Sequence, residues 1–144
     1  MSFLSGMGLE LAIGIAIGML AGTTGTRGSA RGRMTLLAAV IGLVVGIFFA
    51  GSADLSAPLG GLFSLIGAAV GCVVISDVVN GASQREGGRS GALGFLIFLA
   101  ALFALGVSLL VHEFGLVALI VLIWLGASRH RQVQRKHAGL RVLR

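Results

Sequence analysis

The sequence is short of charge. Of its 144 residues, 11% are Asp, Glu, Lys or Arg, against roughly 25% in an average soluble domain. That leaves too few polar groups to cover a globule in water, so an ordinary soluble domain is excluded. There is one cysteine, Cys72. No disulfide can close within the chain, and there is no Cys/His cluster of the kind that holds zinc. Tyrosine is absent and Trp124 is the single tryptophan, so the aromatic girdles of many membrane proteins are weakly marked. Catalytic signatures are missing too. There is no G-x-S-x-G elbow and no phosphate-binding Walker loop, and Gly87-Gly88 follows no strand. His112-Glu113 lacks the second histidine of an H-E-x-x-H helix. The expectation is a protein that is not an enzyme and uses no cofactor and no metal.

What is abundant is apolar sequence. Hydrophobic residues make up 56% of the chain, and the mean hydropathy is +1.03. They come in long blocks, and apolar runs of 18 or more residues indicate membrane spans. The blocks fall at about 4–24, 34–51 and 59–79, followed by a long stretch over 91–128. The first lacks the basic start and the A-x-A site of a secretory signal and carries Glu10, so it is expected to be a retained helix. Before the third block, Ser56 suits a helix N-cap and Pro58 suits the first turn, where its missing N–H costs nothing. As one helix the last stretch would reach about 57 Å, nearly twice a hydrocarbon core of about 30 Å. Its one charged point is His112-Glu113. A turn there gives spans at about 91–111 and 114–128. The predicted fold is an all-α membrane bundle of five transmembrane helices over 1–128, with a basic tail over 129–144.

The basic residues support five spans. All eleven Lys and Arg lie in three segments: Arg27, Arg31 and Arg33; Arg85 and Arg89; and six in the tail. Five spans put all three on one side, and the positive-inside rule makes that side cytoplasmic, with the N-terminus outside. Four spans would oppose the tail to the loops. The net charge of +6 thereby has a topological cause, and nucleic-acid binding is not required. Arg129, Arg131, Arg135 and Lys136 are expected near the inner surface as a helical tail contacting anionic headgroups or a protein partner.

Glycine is the second excess, at 24 residues, or 24/144 against an average near 7%. Small residues recur every fourth position: Gly14, Gly18 and Gly22; Ala38, Gly42, Gly46 and Ala50; Gly60, Ser64, Ala68, Cys72 and Ser76, with Gly67 and Gly71 beside them. Residues four apart share a helix face, and such stripes let helices approach closely in a bilayer, where apolar burial gives no drive to associate. Helices one to three are therefore expected to form the packed centre. The fourth and fifth, rich in Leu and Phe, are expected to face lipid. The two small faces of the third suit packing inside the bundle and against another protomer.

The segments GIAIGMLAG (Gly14 to Gly22), TLLAAVIGLVVG (Thr35 to Gly46) and GLFSLIGAAVG (Gly61 to Gly71) resemble the transglycosylase-associated protein family, small glycine-rich bacterial inner-membrane proteins of three helices. The likeness covers residues 9–79. It implies a bacterial inner-membrane setting linked to envelope stress, and it transfers no catalytic residue. The chain departs from the family in lacking a Pro-Gly turn after the first helix and in its two extra spans.

Ionisable residues within spans are functional candidates by default. Glu10 is expected to be interfacial and solvated. Asp77 is expected to pair with Arg27, Arg31 or Arg33 at the inner rim. His112 and Glu113 mark a polar outer turn, with an ion or proton site as the alternative for all four. The expected function is structural or accessory, in a homo-oligomer or a larger membrane complex. The alternatives are a small oligomeric channel or transporter, and a holin-like pore former.

Overall fold

The computed structural model describes residues 3–24, 29–53, 55–86, 91–111 and 114–139. Among these the chain is helical: α1 (Phe3–Gly22), α2 (Ser29–Phe49), α3 (Ala57–Glu86), α4 (Gly91–Leu110) and α5 (Phe114–Gly139), with a 3-10 turn at Ala50–Ala53 before α3. Three helices are long and apolar enough to cross a membrane, over Phe3–Gly22, Ala30–Phe49 and Ala57–Ala82. The described apolar parts of the other two are shorter, Gly94–Leu110 and Phe114–Ser128.

The helix ends follow local chemistry. Ser56 stands at the N-cap position of α3, its carbonyl accepting from Leu59 N at 2.9 Å and Gly60 N at 3.1 Å, with Pro58 in the first turn. Leu55 N donates to Ala50 O at 3.0 Å and closes the turn before it. Thr23 and Thr24 hydroxyls cap carbonyls at the end of α1, on Leu20 at 2.6 Å and Ala21 at 2.8 Å. The break expected near residues 112–113 is present, since α4 ends at Leu110 and α5 begins at Phe114. His112 and Glu113 themselves lie outside the described residues, as does Asp54.

Three helices are longer than their apolar blocks. α2 begins at Ser29, not Met34; α3 runs on to Glu86, past Val79; and α5 continues to Gly139 through the first part of the tail. Polarity marks where a helix leaves an apolar layer. It does not stop the backbone ladder, and none of these extensions contains proline.

Helices consecutive in the chain run up and down alternately. Gly14 meets Ser64 and Gly18 meets Ala68, so α1 and α3 are parallel. Gly46 meets Gly60 and Gly42 meets Ala68, so α2 is antiparallel to α3. Gly115 meets Gly8 and Gly126 meets Val74, so α5 runs with α1 and α3. The start of α2 and the ends of α3 and α5 therefore share one end of the bundle.

The centre differs from the sequence expectation in one respect. α1 packs against all four other helices and is the axial element. Of the apolar windows, 61% of α1 and 50% of α3 are buried, but only 17% of α2. α2 is peripheral: it offers its small stripe to α3 and leaves Leu36, Val40, Val44 and Phe48 exposed. A small-residue stripe reports one face of a helix, whereas burial depends on how many neighbours surround it. α4 and α5 are outward-facing over Phe95, Phe103, Ile120 and Trp124. Their inner faces close a cluster of Ile97 and Ala101 with Ile15, Met19, Ile75 and Val79, against which Leu119 and Leu122 pack.

Candidate functional site

The centre of the bundle is a seam where α3 lies in the cleft between α1 and α2. Gly14 and Gly18 back directly onto the α3 main chain at Ser64 and Ala68, so closely that a Cβ at either glycine would overlap backbone atoms. Gly22 continues the line, where a Cβ would lie 2.8 Å from Ile75 Cβ. Facing α2, a Cβ on Gly46 would stand 2.6 Å from both Gly60 O and Ser64 Cβ, and one on Gly42 2.8 Å from Ala68 Cβ. A Cβ on Gly60 would lie 2.6 Å from Ala50 Cβ. The second small face of α3 meets α1: a Cβ on Gly67 would come within 2.5 Å of Leu11 O, and one on Gly71 within 2.8 Å of Ile15 O. Both small faces of α3 are thus occupied by helices of the same chain. The stripes permit this because residues four apart align along the helix, and at these glycines even a methyl group would hold the axes apart.

Among the described residues four polar side chains are buried in this apolar interior, Glu10, Ser64, Ser76 and Ser108. Glu10, Ser64 and Ser108 are each 0% exposed, and both Glu10 carboxyl oxygens and both serine hydroxyls lack a hydrogen-bond partner among the described residues. This corrects the expectation of an interfacial, solvated Glu10. Its distance from the chain start suggested a water-facing end, but the surrounding helices enclose that end of α1. Glu10 lies one turn before Gly14 on the same face, which turns it toward the seam where Gly14 meets Ser64.

At the opposite end, Arg31 on α2 pairs with Asp77 on α3, Nη1 to Oδ1 at 2.7 Å, both side chains partly exposed. Arg31 Nη2 also reaches the Val73 carbonyl at 3.4 Å. Of the three arginines open to Asp77 in the sequence, Arg31 is the one so placed, because it opens the α2 face that carries Thr35 and Gly42. Cys72 is buried and free. The Thr35 hydroxyl donates to Arg31 O at 3.0 Å and lies 3.7 Å from Cys72 Sγ. Arg129, Arg131, Arg135 and Lys136 fall in the last turns of α5, and their side chains lie outside the described residues. No group of three or more potential metal ligands occurs among the described residues.

The α1–α5 contact escaped the sequence reading. Gly115 packs on the Gly8 main chain so tightly that it has no room for a Cβ. A signal existed in Gly8, Ala12 and Ala16, a second stripe spaced by four on α1, and Gly115 reads in the sequence as part of the turn. Comparison with known proteins finds no matching family model, no matching curated protein and no matching solved structure.

Proposed function

We propose that the protein is a non-enzymatic, multi-pass membrane scaffold of five spans, acting as a structural or accessory subunit. The observation that carries this reading is the filled seam. At Gly14, Gly18, Gly46 and Gly60 backbone lies on backbone with no space for a methyl group, and hence none for a hydrated ion between these helices. The outward faces of α2, α4 and α5 are broad and apolar, suited to lipid, to a second copy or to a larger membrane complex. The positive-inside rule orients the end with Arg31, Arg33 and the α5 terminus to the cytoplasm and the N-terminus outside. The resemblance of residues 9–79 to glycine-rich envelope proteins favours a bacterial inner membrane.

A second reading, a small proton or cation transporter, rests on Glu10. A sealed carboxyl group without a partner is the kind of residue that marks ion pathways in membrane bundles. Reconstitution into liposomes separates the two. The scaffold reading expects proton and potassium flux equal to empty vesicles, and a stable homo-oligomer or co-purifying membrane partner in mild detergent. Flux above that background, lost in Glu10→Gln, would replace it with the transporter reading.

A further inference from the structure

We propose that the lateral groove between α1 and α2 binds an acyl chain of an anionic phospholipid whose phosphate is held by Arg33. The groove encloses about 420 Å³ and is walled by Ile17, Leu20 and Ala21 on α1 and by Met34, Leu37 and Ile41 on α2. These walls are almost wholly apolar. Leu20, Leu37 and Ile41 are exposed, so the groove opens sideways, toward the acyl layer, and away from the seam. From Ile41 to Met34 it follows α2 for about 10 Å at 1.5 Å per residue, and it points toward the start of that helix at Ser29.

Charge decides the occupant. Arg33 stands one turn before Leu37 on the same flank of α2 and is exposed. It forms no ion pair among the described residues, whereas Arg31 is engaged by Asp77. The first-turn N–H groups of α2 have no partners within the helix and carry the positive end of its dipole, which adds to the attraction for a phosphate. A cation at the mouth of an apolar slot, beside the positive end of a helix dipole, matches a lipid with a net negative headgroup. A second protein helix would have to fill the slot and also bring a carboxylate to Arg33. The inference rests on the reading of α1 and α2 as membrane spans.

The test uses the full chain in nanodiscs of phosphatidylcholine with or without phosphatidylglycerol, with lipids retained after a detergent wash counted by native mass spectrometry. Phosphatidylglycerol should be retained in preference to phosphatidylcholine. Arg33→Gln should weaken that retention on the order of tenfold, the loss of one charge-assisted contact, and Arg33→Lys should restore most of it. Ala21→Phe, which fills the groove, should abolish retention of both lipids, with helix content by circular dichroism verifying the fold of each variant. Replacing Arg129, Arg131, Arg135 and Lys136 together with Gln should leave the preference intact. Unchanged retention in Arg33→Gln, loss of the preference in the tail variant alone, or an Ala21→Phe effect on oligomeric state without one on lipid would each overturn the proposal while the spans stand. Failure of the chain to enter nanodiscs at all would overturn the span reading with it.

Discussion

Glu10 and the glycines set the energetics at the scale of single residues. A buried polar group without a hydrogen bond costs about 1–3 kcal/mol, and a charged one more. Glu10 is such a group among the described residues. Glu10→Leu should therefore raise thermal stability in detergent, by about 1–3 kcal/mol. A fall in melting temperature would mean that the carboxyl has a stabilising partner. The glycines behave oppositely by position. Gly14→Ala and Gly18→Ala drive a methyl into α3 backbone, which no rotamer change relieves, and overpacking of that kind costs about 1–3 kcal/mol or more. A Cβ on Gly106 would meet no atom within 4 Å among the described residues. Gly106→Ala on α4 should be tolerated and gain up to about 1 kcal/mol from helix propensity. Equal losses of folded yield at Gly14 and Gly106 would show that the seam is not where stability resides.

The helices differ in what holds them. α3 is fixed on both sides by close backbone contact, so its position depends on the absence of side chains. α2 is held along one strip and pinned at one end by Arg31–Asp77. That pair is 34% and 49% exposed, and solvent-exposed pairs contribute about 0–1 kcal/mol. A double-mutant cycle over Arg31→Ala and Asp77→Ala should give a coupling below about 1 kcal/mol. Asp77 has a further interaction, so the single Asp77 variant overstates the pair, and the cycle isolates it. A larger coupling would mean that the rim is dry. On α4, Leu96→Ala removes a side chain that is 62% exposed and should change stability little, while Leu122→Ala on α5 removes packing from the Ile15–Met19 cluster and should cost more.

Across the whole molecule, alternating helix directions place Arg31, Arg33 and the α5 terminus at one end, with the 3-10 turn and the α4–α5 junction at the other. The proposed five-span arrangement makes a topology prediction. With the buried native Cys72 as a silent background, Asp54→Cys should react with impermeant thiol reagents from outside. Gly28→Cys and Gly87→Cys should react only from the cytoplasmic side. His112→Cys should also react from outside, and its labelling from the cytoplasmic side would reject five spans.

The sequence by itself determined the helical class, the break between α4 and α5, the start of α3 just after Ser56 and the small stripes, because each depends on neighbours within one or two turns. Long apolar blocks and a four-residue spacing are local patterns that physical chemistry reads directly. It left the helix ends open at Ser29, Glu86 and Gly139, since a polar extension of a helix and a polar loop have similar compositions. Only the tertiary structure decided that both small faces of α3 are covered within one chain, that α2 is peripheral, that Gly8 meets Gly115, and that Glu10 is sealed. The physical reason is common to all four. A face is buried by whichever helices surround it, and that depends on the arrangement of all five helices in space.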